Sequence, residues 1–281
     1  MEPHTLVIVG TGINGVEHLH NGARAWLASA DRVFYLVADP ATESIIQQLS
    51  PNAASLAQLY DAQIHRHVTY RLMVDVLLSH LLVHPLVCAA FYGHPCVFVD
   101  SARQAVRRAR EAGFRALVVP AVSAEDCLFA DLGLDPGRSG CQSFEVTDFL
   151  VVRRQIDTSC PLILWQISAL GILTGGASSG PNQTPHLSVL AEVLTAYYGA
   201  DHQAVIYEAA TLPLAKPRIE PLPIRRIPEA RVTSASTLYV PPNRQPTIDA
   251  TMLRRLGIEA ATAPPEVPRG LCFDFRKGKR P

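Results

Sequence analysis

The 281-residue chain is long enough for two packed domains or one large one, and 48% apolar with 18% charged residues describes a globular protein with a sizeable core. Basic and acidic side chains balance at 25 each, which gives no electrostatic reason to expect nucleic acid or a membrane surface as partner. The six cysteines are scattered with no Cys-x-x-Cys pair, so neither a zinc ligand set nor a redox dithiol is indicated.

In chain order, Thr5–Val9 is a short β-rich run that stops at Gly10-Thr11-Gly12, with a helix expected from about Glu17. Arg32–Val37 reads as a second strand ended by Asp39-Pro40, and Thr42–Leu49 has a helical pattern. Thr69 is placed to cap a helix running through Val83, where Leu72, Met73, Val76, Leu77 and Leu81 recur at helical spacing. Leu86–Tyr92 is continuously apolar, as in strands buried on both faces of a parallel sheet. Ser101 with Gln104 makes a capping box for the next helix, Gly113 stops it, and Ala116–Val119 follows as a strand. Ser123 caps a further helix with Glu125 and Asp126 in its first turn, and Gly133 ends it. This alternation predicts an α/β domain.

After Gly140 the texture changes. Phe144–Val152, Pro161–Ile167, Ala204–Ala209 and Thr237–Val240 read as strands, with one clear helix near Leu187–Tyr198 and a Gly/Ser/Pro-rich loop from Gly171 to Pro185. Long strands with few helices predict a second, mixed-sheet domain. The expected division is an N-terminal α/β domain over 1–120, a C-terminal mixed α/β domain over 121–242, and an arm or tail over 243–281. Prolines crowd the chain from Pro213, and Arg276–Arg280 is a short basic tail. Met1–His4 opens directly into a strand and no apolar run reaches the ~18–20 residues of a membrane span, so a cytoplasmic protein without signal peptide or membrane partner is expected.

Three groups of residues carry chemistry. Gly10-Thr11-Gly12-Ile13-Asn14-Gly15 fits G-x-G-x-x-G after a strand, with Asp39 where a ribose-binding acid would stand. Val16-Glu17-His18 is no clear helix start, so a tight loop at the ligand edge of the sheet competes with dinucleotide binding. Tyr60, Arg66 and Tyr70 form the second group, with Arg66 and Tyr70 four apart and so on one face of a helix. A guanidinium beside phenols favours phenolate and stabilises a developing oxyanion, although such a trio is ordinarily just surface. In the third group, Tyr92 and His94 lie just past a strand end, Ser123 stands at a helix start, and Gln166 is a polar residue in an apolar strand whose amide needs partners. No P-loop or H-E-x-x-H occurs.

Several stretches resemble a known family. Val37–Glu43, Phe91–Val99, Val122–Leu132 and Ser236–Pro242 are similar to segments of the borosin peptide α-N-methyltransferases, within the tetrapyrrole methylases; the resemblance covers roughly residues 5–242. It implies a two-domain tetrapyrrole-methylase-like fold with S-adenosyl-L-methionine in the interdomain cleft. By position, Arg66 and Tyr70 match the family's catalytic Arg and Tyr, Tyr60 a further active-site tyrosine, and Tyr92 one at the methyl group. The cofactor contacts fall on Tyr92, His94, Val97, Phe98, Ser123, Ala124 and Gln166, with Tyr207, Ser236 and Thr237 on a looser alignment. No metal is implied. The implied reaction is methyl transfer to backbone amide nitrogens of a peptide, and family members form homodimers, for which the Pro-rich 213–245 region could supply an arm.

The sequence departs from the family at Cys96 and Ala121, where glycine is usual, and at Ala57, a tyrosine in some members. The first two add a Cβ where backbone approaches the cofactor, an expectation of looser binding. Fused borosins end in a Val/Ile/Gly-rich core peptide, whereas Thr262–Cys272 is proline-rich, and proline has no amide N–H to methylate. A separate precursor peptide, supplied in trans, is therefore expected. The alternatives are a tetrapyrrole or other small-molecule methyltransferase of the same fold, and a catalytically weak peptide-binding homologue.

Overall fold

The computed structural model describes residues 4–174 and 184–258. They form two compact units, one made of residues 4–127, 173–174 and 209–217, the other of 128–172, 184–208 and 218–258.

The first unit alternates strand and helix: β1 (Thr5–Gly10), α1 (Gly15–His18), α2 (Asn21–Ser29), β2 (Arg32–Leu36), α3 (Pro40–Leu49), β3 (Ala54–Ser55), α4 (Arg66–Leu81), β4 (Leu86–Phe91), α5 (Asp100–Glu111) and β5 (Arg115–Val119). The strands pair in the order β3-β2-β4-β1-β5, all parallel. Alternation decides the layers. Leu6, Ile8, Ala89 and Phe91 face Met73 and Leu77 of α4 and Ala102 and Ala105 of α5, while Val7, Val9, Cys88 and Ala90 face Ala23 and Leu27 of α2 and Ile46 of α3. Both faces are thus covered by helices, which is why these strands read as unbroken apolar runs.

The second unit holds α6 (Ala124–Leu132) from Leu128 onward, α7 (Pro136–Ser139), β6 (Gln142–Glu145), α8 (Val146–Val151), β7 (Leu162–Trp165), α9 (Thr184–Tyr198), β8 (Gln203–Glu208), β9 (Arg218–Pro223), β10 (Thr237–Val240) and α10 (Ala250–Arg255). Its sheet runs β6-β7-β10-β8-β9, parallel only between β6 and β7. Leu164, Ile206 and Leu238 pack with Leu187, Leu190 and Leu194 of α9 in a single core.

Four local expectations are corrected. Phe144–Val152 is not one strand: β6 ends at Glu145, whose carboxylate accepts the Asp148 N–H at 2.7 Å and starts α8. The helix assigned to a Thr69 cap begins at Arg66, and Thr69 is buried within it. Ser101 does not cap α5; it is buried inside a helix that begins one residue earlier, where Gln104 donates to Asp100 at 2.5 Å. The proline-rich stretch is not all arm, because β9 pairs with β8 through Pro221 and Pro223, tolerated on an edge strand. The tail after residue 258 lies outside the described residues.

Candidate functional site

In the parallel sheet β2 and β4 are neighbours, yet β2 connects outward to β3 while β4 connects across β1 to β5. Adjacent strands whose connections diverge leave a crevice at their carboxyl ends, where open α/β sheets bind ligands. Tyr92 stands there, its N–H donating to the Leu36 carbonyl at 2.9 Å. Burial, followed by the fields of Cys127 and Asp39, pushes the Tyr92 phenol up to about 12. The next residue, Gly93, has φ +69° and exchanges two backbone hydrogen bonds with Gly12, at 3.2 and 3.0 Å. A side chain on Gly10 would overlap the Gly93 carbonyl oxygen and come within 2.7 Å of Pro95 and of the Ala121 methyl. The ends of β1, β4 and β5 are therefore in backbone contact, and Ala121 fills the gap that Gly10 leaves. Cys96 is exposed and lines, with Pro95, Arg103 and Val106, a cavity of about 390 Å³ against α5.

The glycine fingerprint is spent on packing. Gly15 lets α1 approach Thr42 of α3, and a side chain on Gly12 would strike His18. Both Asp39 oxygens accept from Thr42, at 2.8 and 2.7 Å, so this acid caps α3 and leaves the ribose-acid reading without its acid.

His94 Nδ1 accepts the Cys96 N–H at 3.1 Å and its carbonyl accepts from Val97 at 3.0 Å, which folds 94–97 into a tight turn. Phe98 leaves that turn in the left-handed region, φ 56°, with its ring largely exposed. Ser123 caps α6 as expected: its N–H and hydroxyl both donate to Asp126 at 2.7 Å, and its oxygen accepts the Asp126 N–H at 3.2 Å. With the hydroxyl engaged there, the polar groups this segment can offer a ligand are the first-turn amides that begin at Ala124.

The early start of α4 places Arg66 in its first turn and Tyr70 one turn on. His65 caps the helix by accepting the His67 N–H at 3.3 Å, and the Arg66 N–H donates to Leu173 at 2.9 Å beside a His65–Thr174 bridge. Tyr60 closes a short 3-10 turn at Ala57–Leu59 and meets this helix start. Burial first, then the charge of Tyr70 and a hydrogen bond with it, push the Tyr60 phenol up to about 12, with Arg66 pulling the other way. Tyr60, Arg66 and Tyr70 are thus one cluster.

The remaining sequence-selected residues lie in the mixed-sheet unit. Gln166 follows β7 rather than lying within it and adopts φ 59°; it is half-buried. A non-glycine residue held in the left-handed region marks a constrained position, and Gln166 and Phe98 are two such residues. Tyr207 pairs with Thr237 across β8 and β10, and its hydroxyl donates to Asp131 at 2.8 Å. Ser236 and Thr237 are buried. Sequence reasoning missed Glu208, which accepts from Ser236, Thr233 and Arg218 at 2.5, 2.9 and 2.9 Å. Its only sequence signal is a carboxylate ending the apolar strand Gln203–Glu208.

Residues 5–224 match the family described as Tetrapyrrole (Corrin/Porphyrin) Methylases. The chain belongs to this family. Within it the chain groups with the borosin methyltransferases. It is 36% identical over 266 residues to the methyltransferase/type I borosin cyclic peptide precursor of Coprinopsis marcescibilis, covering 92% of this chain and 68% of that protein. It is 38% identical over 268 residues to the methyltransferase/gymnopeptides precursor of Gymnopus fusipes, covering 93% of this chain but 63% of the relative, so it spans less than two thirds of that length. Solved folds agree. The methyltransferase CobJ superposes with TM-score 0.60 at 14% identity, over 88% of this chain and 97% of that one. Uroporphyrin-III C-methyltransferase from Thermus thermophilus, complexed with S-adenyl homocysteine, superposes with TM-score 0.58 at 18% identity, over 84% and 97%.

Proposed function

We propose that this tetrapyrrole-methylase-family chain is an S-adenosyl-L-methionine-dependent methyltransferase that N-methylates backbone amides of a separate precursor peptide. The observation that carries the reading is the Tyr60–Arg66–Tyr70 cluster, gathered at the start of α4 in a chain whose relatives include borosin precursors. The loops at the carboxyl ends of β2, β4 and β5 fit the cofactor. Gly10, Gly12 and Gly93 keep the edge free of side chains, the aromatic rings of Tyr92 and Phe98 suit a sulfonium cation, and the start of α6 suits a carboxylate. Bound there, the cofactor supplies an electrophilic methyl group. Tyr92, His94, Val97, Phe98, Ser123 and Ala124 would hold it, and Gln166, Tyr207, Ser236 and Thr237 complete the set carried over from the resemblance.

An amide nitrogen is a poor nucleophile until its proton leaves, because its lone pair is delocalised into the carbonyl. Tyr70 is the proton acceptor in this reading. Burial and the interaction with Tyr70 keep Tyr60 protonated, which leaves Tyr70, one turn from Arg66 on α4, as the phenol assigned to take the amide proton. Arg66 also stabilises the oxygen of the deprotonated amide. The same reading takes the enzyme as a cytoplasmic homodimer, and light scattering of the purified protein would test the dimer.

The decisive experiment is co-expression with a candidate precursor peptide, followed by mass spectrometry for successive methyl additions. Tyr70→Phe should then lower the rate on the order of 100-fold while leaving the fold intact. Full-rate methylation by Tyr70→Phe would overturn the assignment of the base, and an unmodified peptide in the presence of bound cofactor would overturn the substrate class.

A further inference from the structure

Glu208 ends β8 as a largely buried carboxylate, and its Oε1 alone receives three donors: Ser236 Oγ at 2.5 Å, Thr233 Oγ1 at 2.9 Å and Arg218 Nη1 at 2.9 Å. Arg218 also donates to Glu220 at 3.0 and 2.5 Å, so its charge is shared between two acids of neighbouring strands. The 233–236 turn is closed on itself as well. The Thr233 N–H donates to Ser236 Oγ at 2.8 Å, the Ser236 N–H to the Thr233 carbonyl at 3.0 Å, and the Ala235 N–H to Thr233 Oγ1 at 3.2 Å. Both hydroxyls thus accept from the turn's own backbone and spend their protons on Glu208. Removing that carboxylate would leave two hydroxyl donors, the buried Ser236 and the half-buried Thr233, without their acceptor and release the turn. Burying a carboxylate among three donors, one of them an arginine, is more than a strand end requires, because an apolar residue would fill the place without the cost of desolvation.

We infer that Glu208 is a positioning residue that fixes the 233–236 turn and thereby presents the backbone of Ser236 and Thr237 to the cofactor. This rests on the proposed reading of Ser236 and Thr237 as cofactor contacts. Glu208 itself need not touch the ligand. Its charge, held by Arg218, gives the two hydroxyls a fixed direction, and hydrogen bonds to an ionised acceptor are about twice as strong as neutral ones.

The test is isothermal titration calorimetry of S-adenosyl-L-methionine with wild-type protein, Glu208→Gln and Glu208→Ala, each checked by thermal melting, with kcat and KM in the peptide assay. Glu208→Ala should raise Kd and the cofactor KM about tenfold or more with a smaller change in kcat, and Glu208→Gln, which keeps an acceptor without charge, should fall between. Wild-type affinity should also fall as the solution becomes acidic enough to protonate Glu208, while the Glu208→Gln variant stays flat over that range. If Glu208→Ala fails to fold, Thr233→Val removes one of the three donors and should still raise Kd severalfold. Absence of cofactor binding by the wild type would overturn the cofactor reading and this inference with it. Wild-type binding with an unchanged Kd and pH profile in folded variants would overturn this inference alone.

Discussion

In the parallel unit the candidate ligand edge is made of backbone: Gly10 and Gly12 stand where no side chain fits, and Gly93, at φ +69°, pairs its backbone with Gly12. In the mixed-sheet unit the corresponding residues are held by side chains, with Glu208 gathering Thr233 and Ser236, and Asp131 holding Tyr207. The difference has a physical root. Parallel strands end in loops that must turn at once into helices on one face or the other, so close backbone approach and positive-φ glycines set the geometry. Antiparallel β8, β9 and β10 end beside one another, so side chains of neighbouring strands can reach a common turn. The first edge should therefore be sensitive to atoms added, and the second to atoms or charges removed.

The largest expected effect tests the second half of that contrast. Leu238→Ala removes a fully buried side chain at the centre of the mixed sheet and should cost about 2–5 kcal/mol, read from urea denaturation. Gly10→Val should cost about 1–3 kcal/mol or more, because the new side chain meets the Gly93 carbonyl, Pro95 and Ala121. A Gly10→Val protein of wild-type stability would remove the backbone-built edge from the comparison. Phenol titration is a smaller probe. Tyr60, Tyr92 and Tyr198 are each pushed up to about 12 by burial, so their phenolate absorbance should emerge well above the ordinary phenol range. A raised folded value means that the stability tied to these phenols is complete below the unfolded value of 10.0 and is lost as pH rises toward 12. The thermal midpoint should accordingly be insensitive to these groups at neutral pH and fall in that alkaline window. The smallest effect belongs to Arg107→Ala, which breaks an exposed i,i+4 pair with Glu111 and should change stability by less than about 0.5 kcal/mol.

Much of the architecture was legible in the residues. Apolar runs such as Leu86–Tyr92 marked strands buried on both faces, and β10 has the bounds Thr237–Val240 that its pattern predicts. The failures share a cause. Glu145 ends a strand and caps a helix in one step, and an apolar count across Phe144–Val152 cannot register that change of period. β9 was hidden because proline argues against a strand until its place at the edge of the sheet is known. His65, rather than a Ser, Thr or Asp, caps α4, which moved the start of the helix and brought Arg66 into it.

Of the candidate site, residue identity was available from the chain alone: the tyrosine–arginine trio, the Tyr92–Phe98 loop, Ser123 as a cap, and the segments that resemble the borosin enzymes. These are local features, fixed by spacing of a few residues and by the chemistry of each side chain. Tertiary structure decided which groups are already engaged. The Tyr207 hydroxyl went to Asp131, 76 positions away, and Glu208 emerged as the acceptor for residues 10 to 28 positions away. Hydrogen-bond partners distant in sequence are set by strand order and register, and those follow from packing two faces of a sheet rather than from any single stretch of the chain.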